Sequence, residues 1–201
     1  MKLVILDRDG TINQDRDDFV KSADEWLPLP GALEAIASLN HAGWHTVIAT
    51  NQSGLARGLF DMNALNAIHA RMNRELAVFG GRIDAVFFCP HGPDDGCRCR
   101  KPLPGLFETI GERYGIPLEQ VHSVGDSPRD LLAGAAAGCM PHLVRTGNGA
   151  GIDAAQMAAL LAATPQATVH ADLAAFAATL VHAARRDRGE PTEFQSVFGA
   201  L

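Results

Sequence analysis

Aromatic side chains are scarce in this chain: 201 residues hold one tyrosine, two tryptophans and nine phenylalanines, 6% in all. Proteins that stack single-stranded nucleic acid need aromatic platforms interleaved with cations. The cations are short as well, since 17 Lys and Arg face 23 Asp and Glu for a formal charge of −6. That balance excludes a broad basic surface for nucleic acid or anionic lipid. Long apolar runs are missing too; Leu3 to Leu6 is far too brief for a signal sequence or a membrane span. Cysteine is limited to four residues, three of them crowded at Cys89, Cys97 and Cys99 beside His91. Such crowding favours metal ligation over a secreted disulfide framework and predicts a cytoplasmic protein.

What remains is an alternation. Strand-length apolar runs occur at Leu3 to Leu6, Trp44 to Ala49, Ile83 to Phe88, Val121 to Val124 and Pro141 to Val144, with a weaker one at Thr168 to His170. Between and after them lie helical patterns at Gly31 to Ala42, Met62 to Phe79, Gly105 to Tyr114, Pro128 to Ala137, Asp153 to Ala162 and Leu173 to Ala184. Gly43, Gly80, Gly115 and Gly138 stand where a left-handed residue ends each of the first four helices. The strands are nearly all apolar, as in a parallel sheet covered on both faces. The expectation is one α/β domain over residues 1–185, a doubly wound, mostly parallel sheet, followed by a charged tail at 186–201 whose Phe194, Val197, Phe198 and Leu201 could dock on the body.

In such a sheet, ligands bind beyond the carboxyl ends of the strands. The polar clusters sit there. Asp7 and Asp9 follow the first strand, Thr50, Asn51, Gln52 and Ser53 the second, Asp126 the fourth, and Arg100 and Lys101 end the long loop after the third. A phosphate monoester needs its charge neutralised, an in-line nucleophile and a proton for the leaving oxygen. Asp7 and Asp126 could hold Mg2+, a hard cation that bridges to phosphate oxygens. Asp7 could attack phosphorus, Asp9 could serve as acid and then base, Lys101 supplies a point charge and Thr50 a hydroxyl donor.

Asp7-Arg8-Asp9-Gly10-Thr11, Thr50-Asn51, Lys101-Pro102 and Gly125-Asp126-Ser127-Pro128-Arg129-Asp130 resemble, in order, the four motifs of haloacid dehalogenase (HAD) superfamily phosphatases. The resemblance covers about the first 150 residues. It implies that Asp7 is the nucleophile, Asp9 the general acid/base and Asp126 a Mg2+ ligand, with the Asp9 backbone carbonyl as a further ligand. Members often carry a cap domain over the site. Here Asn13 to Pro30 leaves room only for a flap and Cys89 to Arg100 only for a loop, so the site is expected to be open; a monomer is expected because no exposed apolar stripe stands out.

That loop carries a second constellation, Cys89-x-His91 and Cys97-x-Cys99, separated by five residues. Three thiolates and an imidazole make a closed tetrahedral Zn2+ site with no position for water, hence a structural one. Its expected task is to hold Arg100 and Lys101. Together with Thr50 to Gly58 and Cys99-Arg100-Lys101-Pro102, the loop is similar to those of the heptose bisphosphate phosphatases within the superfamily. This resemblance implies a small phosphorylated sugar as substrate, a heptose 1,7-bisphosphate losing its 7-phosphate on the way to nucleotide-activated heptose, and substrate contacts at Asn51, Gln52, Ser53, Arg100 and Lys101. Arg57 could be a phosphate contact or plain surface. Histidinol-phosphate phosphatases share the metal loop but tend to carry Asp where Ser53 stands, and they are the alternative; a phospho-accepting receiver-like signalling domain is another. Neither nucleic acid nor membrane is an expected partner. Cys139 and the remaining histidines are read as core or surface residues without ligand spacing.

Overall fold

The computed structural model describes residues 1–187; the stretch 188–201, with Phe194, Val197, Phe198 and Leu201, lies outside the described residues. Six strands, β1 (Lys2–Leu6), β2 (Trp44–Asn51), β3 (Ala85–Cys89), β4 (His122–Gly125), β5 (Met140–Val144) and β6 (Thr168–His170), form one sheet in the order β3-β2-β1-β4-β5-β6. Every pairing is parallel. Six α-helices connect or follow them: α1 (Ala32–His41), α2 (Met62–Val78), α3 (Gly105–Tyr114), α4 (Pro128–Ala136), α5 (Ala154–Ala163) and α6 (Leu173–Asp187). The expected elements are all present, with ends within two residues of those anticipated except in α6, which continues three residues past Ala184 to Asp187 and so takes in the first two residues expected to be tail.

Side chains of a strand alternate between faces, and this alternation builds two cores. Val4, Leu6, Ile48, Val124 and Val144 meet Ile36 and Leu39 of α1, Ile68 and Met72 of α2, and Phe176 of α6. Leu3, Ile5, Val47 and Ala49 point the other way, onto Leu106, Phe107 and Ile110 of α3 and Ala133 of α4. Ile48 is fully buried, and cutting it to Ala would cost about 2–5 kcal/mol. Both faces are covered by helices as expected, and the cover thins at the edges: β3 is half-buried over its first four residues, and Thr168 and Val169 of β6 are exposed. An edge strand has a neighbour on one side only and α-helices do not reach fully over it.

The helix stops are where the glycines are. Gly43, Gly80, Gly115 and Gly138 all have positive φ, 85°, 74°, 60° and 86°, the conformation that costs glycine least. The start of α2 is capped by Asp61, whose side chain accepts from the Ala64 amide at 2.8 Å, and α4 starts with Ser127, Pro128 and a capping box to Asp130. Strand order reverses direction at β1 and β4. The nucleophile candidate and Asp126 therefore emerge side by side, at the crevice where open α/β sheets bind ligands.

Candidate active site

Asp7 leaves β1 with its amide donating to the Val124 carbonyl at 2.8 Å, so the sheet ladder itself fixes the residue. Its Oδ1 accepts from the Arg8 amide at 2.7 Å and lies 2.9 Å from the Lys101 ammonium. That leaves Oδ2 without a protein donor among the described residues. Lys101, only 2% exposed, also reaches Asp130 Oδ1 at 2.6 Å and donates to the Ala49 carbonyl at 2.8 Å. The Asn51 amide positions the lysine from outside: its Nδ2 donates to the Lys101 carbonyl at 3.0 Å and its Oδ1 accepts from the Lys101 amide at 3.1 Å.

Asp126 follows β4 and is buried. Its Oδ2 accepts from the Asn148 amide at 2.7 Å and from Asn148 Nδ2 at 3.0 Å. Asn148 sits in a 3-10 turn after β5 (Gly147–Gly151), and the same loop ties back to the first one, Thr146 Oγ1 donating to the Gly10 carbonyl at 2.7 Å. Backbones come very close here. A Cβ at Gly10 (φ 79°) or at Gly147 (φ 48°) would overlap the Asp126 carboxylate, so neither position admits a side chain.

Asp7, Asp126 and Asp130 offer carboxylate oxygens within 4.8 Å of one another, against the one buried ammonium of Lys101. Burial and then the Asp130 charge push Asp7 up to about 8, while burial and then Asp130 push Asp126 to about 6. Lys101 is held above its ordinary value: burial opposes its charge, but the Asp130 and Asp7 carboxylates outweigh that. Asp130 goes down, since Lys101 and the Ser127 hydrogen bonds outweigh its burial. Three carboxylates with one ammonium are short of positive charge, and this deficit suits a divalent cation bound by oxygen ligands. Asp7 and Asp126 are the available side-chain ligands, because Asp130 Oδ1 is taken by Lys101 and its Oδ2 accepts from the Ser127 amide and hydroxyl at 3.0 and 2.6 Å.

Asp9 is held differently. Arg8, fully buried, places Nη2 2.9 Å from both Asp9 oxygens; Asn13 Nδ2 and Gln52 Nε2 add 2.9 Å bonds. Burial would raise the carboxyl, but Arg8 and these donors hold it below its ordinary value. His69 approaches Arg8 Nη1 at 3.3 Å and, lowered to about 4 by burial and then by the Arg8 charge, stays neutral.

The chamber is a cavity of about 170 Å³ whose wall includes Asp7, Asp9, Thr50, Asn51, Ser53, Arg100, Lys101 and Asp126. Flap residues Asp15, Arg16 and Phe19 close one side, the flap being tied down by a hydrogen bond from Asn148 Nδ2 to Asp15 Oδ2 at 3.1 Å. Gln52, an expected substrate contact, and Arg57, read as either phosphate contact or surface, are both engaged by protein neighbours. Gln52 is buried, its amide engaged by Asp9 and, at 3.0 Å, by Thr50 Oγ1, and Arg57 stacks 5.5 Å from the Phe19 ring centroid. A wider hollow of about 860 Å³, lined among others by Leu59, Phe60, Met62 and Pro90, holds no comparable convergence of polar groups.

Beyond β3 the cysteine loop closes on itself. Cys89 Sγ lies 3.2 Å from Cys99 Sγ, 3.7 Å from Cys97 Sγ and 3.6 Å from His91 Nδ1, and His91 Nδ1 is 3.3 Å from Cys99 Sγ. Ligands about 2.3 Å from a tetrahedral zinc stand roughly 3.7 Å apart. No disulfide joins the thiols, and the four atoms fit such an ion. The loop holds the arginine too, Arg100 Nη1 donating to the His91 carbonyl at 3.1 Å.

Sequence reasoning missed Arg8, Asn148, Thr146 and Gly147 as parts of the site. Arg8 stood in plain view as the middle residue of Asp-x-Asp. The other three carry no motif and are recruited by the parallel pairing of β4 with β5.

A family model described as haloacid dehalogenase-like hydrolase matches residues 11–138. The chain is 66% identical over 149 residues to D-glycero-beta-D-manno-heptose-1,7-bisphosphate 7-phosphatase of Bordetella bronchiseptica, covering 74% of this chain and 83% of that protein. It is 54% identical to the Pseudomonas aeruginosa protein of the same name over 147 residues, 73% of this chain and 83% of that one. A crystal structure of D,D-heptose 1,7-bisphosphate phosphatase from B. bronchiseptica, complexed with magnesium and phosphate, superposes with a TM-score of 0.84 at 57% identity over 91% of this chain and 99% of that chain.

Proposed function

The chain belongs to the haloacid dehalogenase-like hydrolases, and from that premise we propose that it removes the 7-phosphate of D-glycero-β-D-manno-heptose 1,7-bisphosphate through an aspartyl-phosphate on Asp7. The observation that carries the proposal is Asp7 itself: Oδ1 anchored by the Arg8 amide and Lys101, Oδ2 left free in a chamber walled by Thr50, Ser53, Arg100 and Asp126. The relatives' names supply the substrate and its anomer.

Asp7 Oδ2 attacks phosphorus while the leaving sugar oxygen departs on the far side. Lys101 neutralises part of the charge on the transferring oxygens, and Thr50 and Ser53 offer hydroxyl donors. Asp7, the Asp9 backbone carbonyl and Asp126 would hold Mg2+, which would supply the charge neutralisation that lets a carboxylate approach a dianion. Asp9 delivers the proton to the leaving oxygen and then takes one from the water that hydrolyses the acyl phosphate. In its clasp with Arg8, Asn13 and Gln52 it is ionised, the form suited to the second step; proton delivery in the first requires the carboxyl to part from Arg8. Gln52 thus acts through Asp9 and Asn51 through Lys101, while Arg57 steadies Phe19 of the flap.

Zn2+ in the Cys89, His91, Cys97, Cys99 cluster orders the loop that ends in Arg100 and Lys101. A monomer in the cytoplasm, acting on a small sugar phosphate, completes the proposal; what supports the compartment is the gathering of Cys89, Cys97 and Cys99 with His91 into one cluster of metal-ligand type rather than into disulfides. The test is a phosphate-release screen over heptose bisphosphate, sugar monophosphates and histidinol phosphate, with and without Mg2+. Asp7→Asn is expected to abolish turnover and Asp9→Asn to slow both half-reactions. Near-parental turnover by Asp7→Asn, or a higher kcat/KM for histidinol phosphate, would overturn it.

A further inference from the structure

Beside the catalytic chamber lies a second cavity of about 460 Å³, and Arg100, Lys101 and Arg129 belong to the walls of both. The two differ in charge. The chamber wall contains Asp7, Asp9, Asp15, Asp126 and Asp130, whereas the second cavity is lined by Gly92, Pro93, Gly96, Cys97, Pro102 and Leu103 besides the three cations, with no acidic side chain. Small residues of the cysteine loop leave it open, and an acid-free space bordered by guanidinium groups is a site for an anion.

Of the three cations, Lys101 is committed to Asp7, Asp130 and the Ala49 carbonyl. Arg100 donates only from Nη1, to the His91 carbonyl. Arg129 stands in the first turn of α4, is exposed, and makes no hydrogen bond or ion pair with any described residue. Two guanidinium groups therefore face the passage between the cavities with most of their donors unused, and a guanidinium presents a planar fork that matches phosphate oxygens.

We infer that Arg129, together with Arg100, binds the second phosphate of the substrate, the one that is not transferred, and so makes the enzyme prefer a bisphosphate to a monophosphate. The inference rests on the proposed function and deepens it. The five carboxyl groups around the chamber would repel a second dianion there, while Arg129 offers it a place one cavity away, with the sugar spanning the shared wall.

The experiment compares kcat/KM for heptose 1,7-bisphosphate and heptose 7-phosphate at saturating Mg2+ in the parent protein, Arg129→Gln and Arg129→Lys. A hydrogen bond to a charged group is worth enough that Arg129→Gln should cut the bisphosphate-to-monophosphate ratio roughly 10- to 100-fold, with Arg129→Lys recovering part of it. Thermal melts check that an exposed substitution leaves the fold intact. A ratio that moves less than about twofold, or an equal fall for both substrates, overturns the inference. So does a parent protein without preference between the two, although hydrolysis at Asp7 then stands. Should the parent cleave other phosphomonoesters but neither heptose phosphate, the proposed function falls and takes this inference with it.

Discussion

Replacing Asp130 with Asn tests the charge arrangement behind the nucleophile. The Lys101 ammonium is nearly inaccessible and lies 2.6 Å from Asp130 and 2.9 Å from Asp7. Removing one partner of a buried ion pair costs about 3–5 kcal/mol. Here the loss is smaller, because Asp7 and the Ala49 carbonyl still hold the ammonium, an Asn oxygen can still accept from Ser127, and repulsion between Asp130 and Asp7 disappears. About 2 kcal/mol remains, which for a domain of this size lowers Tm by roughly 4–8 °C. Calorimetry at pH 7 with excess Mg2+ reads it directly. Asp130→Ala should fall further, by about 1 kcal/mol for the lost cap of α4. In Asp130→Asn, Lys101 also turns wholly to Asp7, and kcat is expected to drop about tenfold or more. A Tm within about 1 °C of the parent would refute the claim that Asp130 is a charged partner of Lys101 in the folded protein.

Further outcomes follow from the same groups. With metal chelated, Asp7 at about 8 and Asp126 at about 6 are raised above the usual carboxylate range. Stability tied to their protonated forms is complete below pH 4 and is lost as pH rises through those values, so Tm of the chelated protein should fall from pH 6.5 to pH 8 and Mg2+ should lift it more at pH 8; equal lifts would contradict this. On the acid side, His142 is lowered to about 3 and His122 to about 4 by burial, against about 6.5 in an unfolded chain. Their contribution is complete above pH 6.5 and is lost on acidification toward those values, on the order of 5 kcal/mol for His142; denaturant titrations should show the loss, and a limb as steep in His142→Gln would disprove its source. Cys97→Ser should reduce bound zinc, measured by elemental analysis, and raise KM more than it lowers kcat; native protein without zinc would overturn that account.

Much of this was legible in the sequence because the chemistry lies immediately after strands. Asp7, Thr50 and Asp126 each end an apolar run, and a parallel sheet then brings them together whatever the register of the outer strands. What stayed hidden depends on that register. His122, His142 and His170 stand on three adjacent strands, yet form a ladder under Phe176, His122 Nδ1 being 2.8 Å from His142 Nε2 and His142 Nδ1 3.1 Å from His170 Nε2. Nothing in their spacing along the chain announces it. Asn148 likewise meets Asp126 only because β5 delivers its loop there. Gln52 and Arg57 show the converse: motif membership identified a loop that matters, but which of its side chains look into the chamber is decided by the turn after β2.

The tight approach around Asp126 bears on which substitutions a lineage can accept. Gly10 and Gly147 own no functional group, yet any side chain at either would evict the carboxylate between them. In a library of random variants, these two positions should be purged as thoroughly as Asp7, whereas exposed Arg98, charged and only a few residues from the lysine, should drift freely.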